Sequence, residues 1–264
     1  VNLPGRSPTR VSGAELFARY AYPPNELGYC GPGDSGALLE AAVEGGQDSL
    51  LAHLALQFEG AWPYLELIAG CNDITDPLDS RVVEAYWIGN DLTRRVPASV
   101  LAASLDERFA HRAGTRFPPL IAAAWNGGVA QHNFHVFAVY PWLGLLRAGQ
   151  ADVPLEVLDH CRIRWGRVVA LDGDLATVES RGLDLVGSQL VLGDQRVEVV
   201  RRGVKGVGFF DDLDVGDAVA LHWDWVCEPL DDGALRRLQA ATTDNLRAVN
   251  SLESCPPGEA FEDA

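Results

Sequence analysis

Methionine is absent from this 264-residue chain, lysine occurs once, as Lys205, and cysteine only five times. The first two scarcities, beside an arginine excess, look like the codon bias of a GC-rich genome and exclude no chemistry. The third says more. Cys30, Cys71, Cys161, Cys227 and Cys255 are scattered, odd in number and never in CxxC spacing. A disulfide scaffold and a four-cysteine zinc site therefore lack support, and reduced thiols in a cytoplasmic protein are expected. Long apolar runs are also missing: none approaches the roughly 20 residues that span a bilayer. The opening Val1-Asn-Leu-Pro-Gly-Arg6 has no apolar stretch of the kind a signal peptide needs. No membrane partner is expected. Positive charge is scarce, with 21 basic against 37 acidic residues and a net charge of -16. Such a field repels phosphate backbones, which argues against a nucleic-acid partner.

What is present suits a folded core, at 47% hydrophobic and 22% charged residues. Residues 1–159 read as a helical domain. Ser12 and Glu15 form a capping box ahead of Leu16, Phe17 and Tyr20, and Pro23-Pro24 should end that helix. Asp34 and Asp48 are expected to cap the next two segments. Leu50, Leu51, Leu54 and Phe58 share a helical face. A further helix is expected within Pro77 to Arg95, carrying Leu78, Val82, Val83, Tyr86 and Trp87. Another should follow Pro97, with Val100, Leu101, Leu105 and Phe109.

From Cys161 the texture turns to β. Ile163, Trp165 and Val168 lead to Asp172-Gly173-Asp174, a hairpin signal between apolar runs. Gln189 to Leu192 should turn at Gly193-Asp194 into Arg196 to Val200, and Ala218 to Trp225 reads as one more strand. Short strands at this spacing suggest a small barrel over residues 160–250, closed by a helix from Leu230 to Val249. An acidic, disordered tail is expected over 251–264. The fold class is thus α+β, a mainly helical domain followed by a small OB-like β-barrel with a C-terminal helix.

Candidate chemistry falls in three places. Cys30 lies in Gly28-Tyr-Cys-Gly-Pro-Gly-Asp34, just before a helix start, where a thiol pKa can fall; the turn residues around it equally suit a packed cysteine. His132 and His135 would share a face on a helix and so reach one metal, but would point to opposite faces on a strand. Glu84 to Asn90, with Tyr86 and Trp87, reads as an aromatic core stripe. The third place is Cys161 together with His222. A thiolate and an imidazole form a soft donor pair for iron, zinc or copper if their strands converge. His160 is a further donor, although adjacent strand residues face opposite ways.

The C-terminal third, about residues 161–250, resembles the HypC/HupF hydrogenase maturation chaperones. The matching residues are Cys161, Gly166, Arg167, Val168, Val169, Asp172 and Gly173, then Val215, Gly216, Asp217, Val219 and His222. Trp225 follows, then Asp231 and Asp232 ahead of Leu235. Departures include the internal position of Cys161 and Trp165 where the family has proline. The resemblance implies a HypC-like barrel in which Cys161 and His222 bind the iron of an Fe(CN)2CO fragment. It also implies partners, namely other maturation proteins and the hydrogenase large-subunit precursor. The expected role is an accessory protein of [NiFe]-hydrogenase maturation rather than an enzyme. Two alternatives remain open: a cysteine-dependent enzyme using Cys30 with His132 or His135, and a metal-free scaffold.

Overall fold

The structure, a computed structural model, describes residues 11–113, 117–150, 152–210 and 212–254. Eleven helices precede the strands among these residues: α1 Gly13–Glu26, α2 Ser35–Glu44, α3 Asp48–Ala55, α4 Trp62–Cys71, α5 Ser80–Trp87, α6 Asp91–Arg94, α7 Ala98–Ala113, α8 Phe117–Trp125, α9 His132–Phe134, α10 Trp142–Arg147 and α11 Asp152–Cys161. Seven strands follow: β1 Arg164–Asp172, β2 Leu175–Val186, β3 Gln189–Arg201, β4 Gly203–Val204, β5 Val207–Gly208, β6 Ala218–His222 and β7 Trp225–Leu230. Helix α12, Asp232–Asn250, comes after the strands. Mixed helix and sheet, in that order, match the expected class.

The Ser12 capping box forms as the sequence indicates. Pro23-Pro24 does not end α1, contrary to expectation, but sits buried in its last turn. There the pair removes only two N–H donors, and its carbonyls still accept from the N–H groups of Leu27 and Tyr29. Asp34 caps α2, whereas Asp48 is already helical and its carboxylate accepts the Ser12 hydroxyl at 2.7 Å. The single segment expected over Pro77 to Arg95 is two helices. Gly89 adopts φ +93°, which suits glycine, and Asn90 then caps α6.

The sheet order β1–β2–β3–β7–β6 returns to β1, so these five strands form a closed ring. The Gly173-Asp174 hairpin forms between the paired Asp172 and Leu175. Gly193-Asp194 is no turn. Strand β3 continues through it with a shift of register against β2, and the reversal lies at Gly187-Ser188, between the paired Val186 and Gln189. The segment Ala218 to Trp225 breaks into β6 and β7 at Trp223, whose φ is +53°. Cys161 ends α11 instead of opening a strand.

One apolar core runs through both parts of the chain. It joins Phe17, Tyr20, Tyr86, Trp87, Phe134 and Leu158 to Trp225, Cys227 and Leu230 of the sheet. A second cluster, including Val168, Val178, Val219, Leu221 and Val226, belongs to the strands. Asp231 caps α12, accepting the Ala234 N–H at 2.6 Å. Ser251–Ser254 continues as a 3-10 turn, and the remainder of the expected acidic tail lies outside the described residues.

Candidate metal centre

Five residues singled out by their chemistry, Cys30, His132, His135, Cys161 and His222, line one cavity of about 200 Å³. The helical part contributes Cys30, His132 and His135, the end of α11 contributes Cys161, and the end of β6 contributes His222. Three of them cluster tightly. The ligand atoms of His132, Cys161 and His222 lie within 4.8 Å of one another, and all three side chains are buried.

The hydrogen bonds fix which imidazole nitrogen is free. Nδ1 of His222 lies 2.6 Å from the Tyr20 carbonyl. A carbonyl only accepts, so Nδ1 carries the proton and Nε2 the lone pair. That Nε2 is buried without a hydrogen-bond partner. A buried polar atom left alone is costly and calls for an explanation. In His132, Nε2 lies 2.9 Å from the Cys161 carbonyl and must donate to it. Its Nδ1 then accepts from the Tyr86 hydroxyl at 3.1 Å. His132 is held through Nε2 by a backbone carbonyl, but its Nδ1 lone pair is taken by the Tyr86 hydroxyl, which must turn away before a metal can bind there. His222 is held through Nδ1 by a backbone carbonyl and presents a free lone pair at Nε2. Metal-ligating histidines are oriented in the same way.

Burial sets the protonation states. It lowers the His132 pKa to about 4, against a rise from the Cys161 carbonyl contact, and drives His222 and His135 well below the ordinary histidine value. It also raises the Cys161 thiol far above its usual range, with a further push from Cys30. At neutral pH the pocket therefore holds neutral imidazoles and a protonated thiol. A dication entering would displace the thiol proton.

The remaining candidates take other places. His135 begins a π-helical turn, His135–Val139, directly after α9, so the helical alternative holds for the His132–His135 stretch. Its Nδ1 meets the Tyr64 hydroxyl at 3.3 Å, and it stands outside the three-donor cluster. His132 thus pairs with His222, at a ring separation of 5.0 Å, and not with His135. His160 uses Nδ1 on the Glu156 carbonyl and also stays out of the cluster. Burial pushes the Cys30 thiol up to about 12, opposite to an activated nucleophile. Among the described residues no hydrogen bond links Cys30 to an imidazole. Tyr86 and Trp87 are core residues and cavity walls at once, with the Trp87 ring 4.8 Å from His132. Tyr29 stacks on Trp223 at 4.4 Å over the same cavity.

Sequence reasoning missed His132 as the partner of His222, and missed the Tyr20 carbonyl. A signal for the second existed, because Pro24 stands four residues after Tyr20 and cannot donate to it.

The model of DUF6390, a family of unknown function, matches residues 9–255. The chain belongs to that family. Its span takes in the helical part and the sheet as one unit, as the shared core does. No curated protein and no solved structure shows a significant match. Among the described residues no helix is long and apolar enough to cross a membrane.

Proposed function

We propose that this protein is an accessory factor of [NiFe]-hydrogenase maturation that holds an iron fragment, Fe(CN)2CO, as cargo between Cys161 and His222, with His132 as a third donor. The observation that carries the reading is the buried, unpartnered Nε2 of His222 beside Cys161 and His132. Two cyanides and one carbonyl take three coordination positions of such iron, so the protein need offer only a few soft donors. A cavity of about 200 Å³ has room for several diatomic ligands, given roughly 30 Å³ for a water molecule in the liquid. Its walls include Phe58, Trp87, Val157 and Trp223, which suit weakly hydrated ligands. Other maturation proteins and the large-subunit precursor are the partners that this reading implies.

Infrared spectroscopy of protein purified with its native operon partners tests the proposal. Cyanide and carbonyl stretching bands are expected in the unaltered protein and should vanish in Cys161→Ala and His222→Ala. Bands absent from the unaltered protein, with iron content no higher than in Cys161→Ala, would reject the carrier role. Pull-down of a precursor that survives both substitutions would favour the metal-free scaffold instead.

A further inference from the structure

A large cleft abuts the inner cavity and has a chemistry of its own. It encloses about 1040 Å³ and shares Tyr29, Cys30, Gly60, His135, Tyr140 and Pro141 with the cavity. Among the described residues its fully charged lining consists of Glu59, Arg108 and Arg147. Two cations to one acid reverses the balance of a chain with 37 acidic and 21 basic residues. Glu59 is exposed, and Arg147 directs donors to the carbonyls of Ser188 and Val249.

Arg108 is different. Its guanidinium lies 4.8 Å over both the Tyr64 and the Phe109 rings, which hold the planar fork in place. One terminal nitrogen reaches the Gly60 carbonyl at 3.4 Å, while the other, Nη1, is buried with no partner. No carboxylate pairs with it among the described residues. A half-buried guanidinium without a counter-ion carries a desolvation cost that a protein ordinarily avoids. Arginine's rigid donors match an oxyanion in two-pronged geometry.

We propose that this cleft binds a small organic molecule bearing one oxyanion, a carboxylate or a phosphate, which pairs with Arg108. The apolar body of the ligand lies against Phe109, Leu120 and Leu143, which line the same cleft. Such a ligand ends next to Cys30 and His135, at the boundary with the inner cavity. The inference stands apart from the metal reading, since it uses none of the three clustered donors.

Calorimetric titration of the full chain with benzoate, phenyl phosphate and neutral benzyl alcohol tests it. At least one anion should bind tenfold or more tightly than the alcohol, and the tighter anion identifies the ligand class. Arg108→Gln should erase that preference, while Arg108→Lys should keep part of it. If Arg108→Gln does not fold, the unaltered chain still decides: a tenfold rise in salt should weaken the anions and spare the alcohol. Cys161→Ala should leave all three affinities unchanged. Anions binding no better than the alcohol, or a preference that survives in folded Arg108→Gln, would overturn the assignment.

Discussion

In an unbroken helix the carbonyl of Tyr20 would accept the N–H of residue 24, but Pro24 has none, and His222 takes that place at 2.6 Å. A residue that looks like a helix breaker therefore supplies an acceptor, and the acceptor dictates the histidine tautomer. Pro24→Ala restores the missing donor, which then competes for the Tyr20 carbonyl. We expect α1 to persist, as seen by circular dichroism, while metal affinity falls about tenfold or more, in the range typical of lost outer partners. Cobalt(II) titration followed by thiolate charge-transfer absorption measures it. An unchanged affinity would mean that the Tyr20 contact does not orient the ring. The tautomer was illegible in the sequence because it depends on two residues 202 positions apart.

At the scale of elements, α11 matters most, because it delivers Cys161 and is pinned to the sheet by buried charge. Asp159, two residues earlier, pairs with Arg162 at 3.0 Å and with Arg196 at 2.6 Å, and accepts the Leu183 N–H at 3.1 Å. Arg164 on β1 pairs in turn with Glu198 on β3 at 2.9 Å. Asp159→Asn keeps the shape and the amide contact but leaves the almost wholly buried Arg162 without its charge partner. Removing one member of a buried pair costs about 3–5 kcal/mol. Urea unfolding should register a loss of that order, and a loss under 1 kcal/mol would show that the network does not hold α11. Periodicity and capping made α1, α2, α3, α5, α7, α12, β1 and β3 legible, but not their ends; α4, α8, α10 and α11 itself were not read from the sequence. Strand β3 absorbed Gly193-Asp194 as an irregularity opposite Gly182, with pairing to β2 resuming on both sides, and Trp223 makes a tight reversal that no glycine announced.

Two carboxylates bias the stability of the whole molecule in opposite directions. Burial pushes Glu198 upward, but hydrogen bonds and charge from Arg164, with help from Ser180 and Arg196, bring it down to about 2. Its contribution is present above the ordinary value of 4.5 and is lost as pH falls towards 2. Glu228 is raised to about 7, chiefly by burial, although Tyr20 and Arg19 oppose the rise. Its contribution is present below 4.5 and is lost as pH climbs through 7. Glu228→Gln keeps an acceptor for the Tyr20 hydroxyl, which lies 2.5 Å away, and removes the titration. Relative to the unaltered chain it should gain stability between pH 4.5 and 8, by up to about 3 kcal/mol at roughly 1.4 kcal/mol per pKa unit. Denaturation midpoints across that range check the sign, and a flat difference would refute it.

Cys161 and His222 could be singled out from two short stretches of the chain, but that they meet was not legible, and neither was the part of His132. Its ring sits 29 residues before Cys161 and 90 before His222, and only the common core brings the three together. That arrangement makes the cluster a certificate of completed assembly. Each half of the polypeptide, taken alone, owns an incomplete set of donors, and a nascent chain still lacking β6 has no socket to fill. An ion bound as proposed would enter only after both halves had folded together, and would then tie them to each other.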